Sequence, residues 1–129
     1  MSTFDELNIK ENILRGVYTY WFEKPSVIQQ KSIPLIIEGR DIISQAQSGT
    51  GKTGAFTIGS LCRVDPEINE TQLLILLPTH ELATQVYDFT KEISKYLEIN
   101  IVKLIGGTPI NSSFELLNTK PHVIIGSPG

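Results

Sequence analysis

The chain has 129 residues, 40% of them hydrophobic, and its 14 acidic and 11 basic side chains give a net charge of −3. That length suits one domain with an apolar core, and that charge excludes a broad basic surface, so any nucleic-acid contact must be local. Cys62 is the single cysteine and the longest apolar run is too short for a membrane span, so we expect a soluble, intracellular protein, cytoplasmic or nuclear.

Two segments at the start of the chain predict helices. Apolar residues three and four positions apart indicate an amphipathic helix over residues 9–20, with a capping signal in Asn8 and Glu11. A second helical pattern follows residues 25–26 and ends at Gly39. Pro34 lies inside this second helix and should kink or split it, because proline lacks the N–H donor and its ring crowds the preceding turn.

From residue 41 onward, strands and helices alternate. Residues 42–44 are a short strand candidate, 46–51 a loop of small side chains and 52–63 a helix. Residues 73–77 are apolar at every position, as expected of a parallel strand that is covered on both faces. The later elements are a helix over 82–97, a strand over 99–105, a glycine turn at 106–107, a short helix over 110–117 and a strand over 123–125. This alternation predicts an α/β fold, in which a parallel sheet is flanked by helices and ligands bind at the carboxyl ends of the strands.

Residues 46–53 match the phosphate-binding loop pattern, with alanine in place of its first glycine. Gly49 and Gly51 let backbone amides point at phosphate oxygens, and the helix that follows presents its positive end to the same anion. Lys52 supplies a positive charge for the β and γ phosphates, and Thr53 a hydroxyl for Mg²⁺. The alternative is a flexible glycine loop with a solvated Lys52, but the strand before it and the helix after it favour phosphate binding. The predicted phosphate and Mg²⁺ site comprises Gln47, Ser48, Gly49, Thr50, Gly51, Lys52 and Thr53.

Four further segments resemble motifs of the DEAD-box family of ATP-dependent RNA helicases, in that family's order. Residues 22–29, with Phe4 before them, resemble its Q motif, and residues 78–83 are similar to motif Ia. Residues 106–107 are similar to the glycine doublet, and residues 127–129 to the start of motif Ib. Together with the phosphate loop these segments extend the resemblance over the whole chain, which implies a RecA-like P-loop NTPase fold.

The amino-acid sequences of two segments are most similar to one branch of that family. Residues 15–18 and 23–26 resemble the branch of eukaryotic translation initiation factor 4A and its splicing-associated relative. This implies RNA unwinding or clamping in translation initiation or mRNA processing.

The resemblance also implies that the bound nucleotide is ATP. Gln29 would read the adenine edge, because its amide has both a donor and an acceptor. Phe22 would cover one adenine face, and Lys24 would lie beside the nucleotide. An alternative for Phe22 is a hydrophobic staple or a core position at the start of a helix.

Polar residues after the strand ends are implied to hold the RNA sugar-phosphate backbone without regard to sequence. His80 stands where the family has an arginine, so we expect weaker RNA affinity from a mostly neutral imidazole. An exposed loop residue with no contact to RNA is the alternative for His80. The implied RNA-binding residues are Thr79, His80, Gly107, Ser127, Pro128 and Gly129.

The resemblance divides the chain into a Q-motif helical segment over residues 1–38 and an incomplete RecA-like ATP-binding domain over 39–129. The Asp-Glu-Ala-Asp motif, which in the family holds Mg²⁺ and positions the attacking water, does not occur in this sequence. We therefore expect an RNA helicase and ATPase as the full-length protein, whereas these 129 residues alone, with Lys52 and Thr53 as their catalytic candidates, bind ATP without hydrolysing it.

Two other functions stay open at this point. A chain that naturally ended at Gly129 would be a nonhydrolysing ATP-binding or partner-binding module, and an unrelated phosphate-loop enzyme such as a kinase would share only the loop. For the helicase we expect RNA as a partner, a helical-repeat scaffold protein of the initiation or mRNA-processing machinery as another, a monomeric state and no membrane contact.

Overall fold

The computed structural model describes residues 9–20, 27–39, 52–105 and 115–127. Within these residues, helices and strands alternate much as the sequence predicts, and one further helical turn covers residues 115–118. The elements in chain order are α1 (Glu11–Tyr20), α2 (Val27–Ile37), α3 (Lys52–Leu61), β1 (Leu73–Leu76), α4 (His80–Ile93), β2 (Ile101–Leu104) and β3 (Val123–Gly126). The predicted strand over 42–44 and the glycine-containing segments 46–51 and 106–107 lie outside the described residues.

The described residues group into two compact units. The first contains the residues up to Arg63 together with Ile93–Tyr96, and it holds α1, α2 and α3. The second contains Val64–Glu92 and the residues from Leu97 onward, and it holds the three strands and nearly all of α4. The boundary between residues 38 and 39, which the family resemblance implies, stays a prediction.

α1 buries the apolar stripe that its sequence predicts. Ile13 and Val17 are completely buried in the first unit. Gly16 lies beside Val17, and a Cβ at this position would overlap the backbone carbonyl of Ile93. Glycine at position 16 is therefore what lets the α1 backbone approach that carbonyl so closely.

α2 runs through Pro34 as a single helix, so the expected split at this residue is wrong. Proline removes one N–H donor from the helix ladder. Ser32 and Ile33, the two residues before Pro34, are buried, and tertiary packing contributes more to the stability of a helix than local propensity does. The predicted end at Gly39 is confirmed: its φ is 90°, and its N–H donates to the carbonyl of Ile36 at 2.9 Å.

α2 packs against α3 in the first unit. Ile33 on α2 and Ile58 and Leu61 on α3 are completely buried. The two helices also meet at Gly59, where a Cβ would lie 2.7 Å from the Cβ of Ile36. The glycine leaves no side chain between the two helix backbones at this point.

The three strands form one parallel sheet in the order β1, β3, β2. Leu76 and Leu104 both pair with Gly126, so the carboxyl ends of all three strands stop at the same level. α4 lies on the face of this sheet to which Lys103 of β2 points, since Lys103 donates a hydrogen bond to Thr84 of α4 at 3.4 Å. The predicted α/β class with a parallel sheet and flanking helices is confirmed.

β1 is not covered on both faces, and this part of the prediction is wrong. Ile75, on the face that α4 covers, is buried, whereas Leu74 and Leu76 on the opposite face are 58% and 69% exposed. Among the described strands, β1 lies at an edge of the sheet. The described part of the chain leaves the side chains on its second face largely open to solvent.

No helix among the described residues is both long and apolar enough to cross a membrane.

Two completely buried threonines differ in whether their hydroxyl has a hydrogen-bond partner, so replacing each should change stability in opposite directions. The hydroxyl of Thr57 in α3 has no hydrogen-bond partner in the described structure, whereas the hydroxyl of Thr90 in α4 donates to the carbonyl of Val86 at 2.6 Å. Thr57→Val removes an unsatisfied buried group, so we expect it to raise the free energy of unfolding in urea by about 1 kcal/mol. Thr90→Val, the matched control, removes a satisfied hydroxyl and should lower that free energy. A loss of stability in Thr57→Val as large as in Thr90→Val would contradict the assignment of an unpartnered hydroxyl.

Candidate nucleotide and RNA site

Lys52 and Thr53 occupy the first two positions of α3. The amides of a first helical turn have no acceptor within the helix, and the helix dipole adds partial positive charge there. This turn carries no acidic side chain that would repel a phosphate. The start of α3 therefore has the backbone arrangement that an anion requires, at the point where the sequence predicts phosphate binding.

Gln29 lies in the first turn of α2 and is only 5% exposed. It belongs to the same compact unit as the start of α3, so the structure brings the predicted adenine contact and the predicted phosphate contact into one unit. A buried amide favours ligands that complete its hydrogen bonds, because leaving its donor or acceptor unsatisfied costs about 1–3 kcal/mol. Such a group can discriminate strongly between ligands with different hydrogen-bonding edges.

Several predicted ligand contacts lie outside the described residues. For the nucleotide these are Phe22, Lys24, Gln47, Ser48, Gly49, Thr50 and Gly51, and for RNA they are Gly107, Pro128 and Gly129. Their roles stay predictions.

Cys62 is a poor candidate for covalent chemistry in the first unit. Its side chain is 5% exposed, and burial raises the pKa of its thiol, an effect that nearby Lys10 partly offsets. A thiol must ionise before it attacks an electrophile, so a raised pKa makes Cys62 less reactive.

The described residues contain no cluster of three or more His, Cys, Asp or Glu side chains that could hold a metal ion. A protein-only metal cage in this part of the chain is therefore not available.

Thr79 lies at the carboxyl edge of the sheet and caps α4. Its hydroxyl oxygen accepts a hydrogen bond from the N–H of Leu82 at 3.1 Å, and its carbonyl accepts one from Ala83 at 3.0 Å. Because a hydroxyl has one donor besides its two acceptor sites, Thr79 can cap the helix and still donate to a phosphate oxygen. His80 is the first residue of α4 and is exposed at the same edge.

Ser127 follows β3 at this edge. Its N–H donates to the carbonyl of Leu104 at 3.1 Å, just as the N–H of Leu77 donates to Gly126 at 2.9 Å, so the ladder continues past both strand ends. The Ser127 hydroxyl oxygen is buried and has no partner in the described part of the chain. A direct contact with RNA would require this oxygen to become accessible.

His122 is a buried residue that the motifs did not identify, and it lies at the opposite end of β3. Its Nδ1 accepts from the N–H of Asn100 at 2.9 Å, and its Nε2 lies 3.0 Å from the carbonyl of Pro66, which places the ring proton on Nε2. Both ring nitrogens are thus used in joining strands to a loop, and we assign His122 a structural role.

Comparison with known proteins agrees with these observations. The family of DEAD/DEAH box helicases matches residues 26–129. The chain belongs to this family. Membership argues against an unrelated phosphate-loop kinase, and it confirms the family resemblance that the motifs imply.

Individual relatives in the family cover nearly all of the chain. Eukaryotic initiation factor 4A of Drosophila melanogaster is 47% identical over 126 residues, which are 98% of this chain and 31% of that protein. The ATP-dependent RNA helicase FAL1 of Mycosarcoma maydis is also 47% identical, over 99% of this chain and 32% of that protein. The chain thus spans about a third of the length of the curated relatives it matches.

A solved member of the family confirms the RecA-like fold. S. cerevisiae Dbp5 bound to RNA and ADP BeF3 superposes with a TM-score of 0.86 at 36% identity, over 100% of this chain and 32% of that one.

Proposed function

We propose that the protein is an ATP-dependent RNA helicase and that this chain supplies its ATP-binding residues and part of its RNA-binding edge. The observation that carries the proposal is the burial of Gln29 on α2, in the same unit as an α3 that begins at the phosphate-loop lysine. One element then selects the base and the other binds the phosphates. Phosphate binding alone would leave the base unselected, because ATP and GTP carry the same triphosphate.

In this proposal the residues around the start of α3 bind the triphosphate. The backbone amides of Gln47 to Gly51 and of the first turn of α3 surround the phosphate oxygens, and Lys52 balances their charge. Thr53 offers its hydroxyl to Mg²⁺, which supplies charge neutralisation of the phosphates when it is bound. Phe22 and Lys24 complete the nucleotide site beside Gln29.

Hydrolysis depends on groups beyond those in this sequence. The family's acidic motif, which positions the attacking water, does not occur in this sequence. We therefore expect these residues alone to bind ATP without turnover, while ATPase and unwinding activities belong to the full-length protein.

RNA would bind along the carboxyl edge of the sheet through its sugar-phosphate backbone. The edge presents the Thr79 hydroxyl and the exposed His80, and the predicted contacts at Gly107, Ser127, Pro128 and Gly129 extend it. These groups are mostly neutral donors, which suits binding without base specificity and with modest salt dependence.

The cellular role and protein partners are proposed at a coarser level. Eukaryotic initiation factor 4A and the RNA helicase FAL1 are equally similar to this chain, each at 47% identity. We propose a role in translation initiation or mRNA processing, with a helical-repeat scaffold protein as a partner.

Replacing Gln29 tests the proposed selection of ATP. In the full chain, Gln29→Ala should reduce the preference for ATP over GTP by about 5-fold to 150-fold, because a paired amide edge contributes roughly 1–3 kcal/mol of base discrimination. Calorimetric titration of both nucleotides provides the two dissociation constants. Gln30→Ala, which removes the same group from the next position of α2, is the control and should keep the preference. An unchanged ATP preference in Gln29→Ala would rule out this residue as the adenine contact.

Replacing His80 tests the proposed RNA edge. His80→Arg adds a permanent positive charge at the start of α4, so we expect tighter binding of single-stranded RNA and a logarithmic salt slope steeper by roughly 0.7. Fluorescence anisotropy over a series of salt concentrations measures both quantities. Asn118→Arg adds the same charge at an exposed position away from the carboxyl edge and should leave the slope nearly unchanged. Equal slopes for His80→Arg and the native chain would show that position 80 does not contact phosphate.

A further inference from the structure

The contact between α2 and α3 at Gly59 has an effect on the proposed ATP site. A Cβ at position 59 would lie 2.7 Å from the Cβ of Ile36 and 2.8 Å from its Cγ2. Carbon atoms in ordinary contact are about 3.5–4.0 Å apart, so any larger residue requires one helix to move. The Ile36 atoms involved are close to its backbone and cannot swing away freely. Glycine therefore fixes how closely α2 and α3 approach.

The same helix faces carry the two proposed nucleotide contacts. Gln29 precedes Ile36 on α2 by seven residues, and Lys52 precedes Gly59 on α3 by seven residues. Seven residues are about two helical turns, which returns to the same face. Ser32 and Ile33 of α2 lie three and four residues after Gln29, and all three side chains are buried on one face of the helix. The Gly59–Ile36 contact therefore lies on the faces to which the adenine-reading and phosphate-binding positions belong.

ATP would bridge these two helices, with its base at α2 and its phosphates at α3. A ligand of fixed length that is held at both ends requires a fixed distance between the two elements. An error of about 1 Å in such an arrangement can cost as much as 100-fold in function, even when its origin is remote from the chemistry. A nucleotide that uses only the phosphate contacts would not be sensitive to the position of α2.

We propose that Gly59 and Ile36 are positioning residues that set the adenine selectivity of this site. Their contact determines the separation of α2 from α3, and so the distance between Gln29 and a triphosphate bound at the start of α3. This inference rests on the proposed function. It assigns base selectivity to a packing contact that does not touch the nucleotide.

The intrinsic helix propensity of alanine favours Gly59→Ala, whereas the contact with Ile36 opposes it, so the two effects can be told apart. Alanine is a better helix former than glycine by about 1 kcal/mol, so Gly59→Ala strengthens α3 when that helix is considered alone. A loss of ATP selectivity in this variant must then come from the contact with Ile36. Ser60→Ala is a matched control, because it places alanine at the neighbouring position of α3.

The experiment compares ATP and GTP affinities by calorimetry in the full chain and its variants. In Gly59→Ala we expect ATP binding to weaken by about tenfold or more, while GTP binding, which depends on the phosphate contacts, changes by less than about twofold. Ser60→Ala should change neither affinity. Adding Ile36→Ala to Gly59→Ala should recover part of the ATP affinity, because two of the three nearest side-chain atoms are then gone.

Two results would overturn the inference. Either ATP and GTP affinities fall by the same factor in Gly59→Ala, or both stay at native values. If Gly59→Ala is too unstable to titrate, the double variant is compared with Ile36→Ala alone, since the Ile36 Cβ position at 2.7 Å is retained and the added methyl should still lower the ATP to GTP preference.

Failure of the proposed function has a different signature. A native chain that binds neither nucleotide would contradict the proposed ATP site. A native chain that binds ATP and GTP equally would contradict the proposed selection of adenine. A native preference for ATP that Gln29→Ala abolishes and Gly59→Ala leaves intact would contradict only the positioning role.

Discussion

The parallel register of the sheet is the constraint on which the candidate RNA edge depends. Leu76, Gly126 and Leu104 pair at one level, so residues that follow three strands distant in sequence reach the same edge. A slip of one residue would turn every side chain of a strand to the opposite face and move its carboxyl end out of line with its neighbours. The register therefore assembles the edge.

The first unit separates two tasks that a nucleotide site must perform. Phosphate binding needs only a helix start with free amides, which α3 provides within a single local segment. Base selection needs a side chain on a second element, and we propose Gln29 of α2 for this task. The two tasks therefore combine only through packing between helices, and in this chain that packing includes Gly59 against Ile36. The proposed positioning role implies that specificity changes when this contact changes, although neither residue contacts ATP.

Much of this architecture was predictable, because alternating apolar runs and loop signals define an α/β fold locally. The motifs also selected the residues at the start of α3, on α2 and after β1. The errors concern packing between distant segments. A local rule gives the cost of Pro34 but not the buried neighbours that keep α2 intact, and an apolar run such as β1 does not reveal which face stays exposed. The sequence marks Gly59 as a packing position of the helix over 52–63, but it does not reveal that the contact partner is Ile36 or how closely the two helices approach.

The central claim is that the chain binds ATP through the phosphate loop that leads into α3, and calorimetric titration of Lys52→Ala tests it most directly. The full chain should bind MgATP measurably, and Lys52→Ala should lose that binding while its circular dichroism and unfolding transition stay native-like. Lys31→Ala, which removes an equal charge from an exposed position of α2, should bind as the native chain does. MgATP affinity that survives in Lys52→Ala at the level of Lys31→Ala would contradict the account.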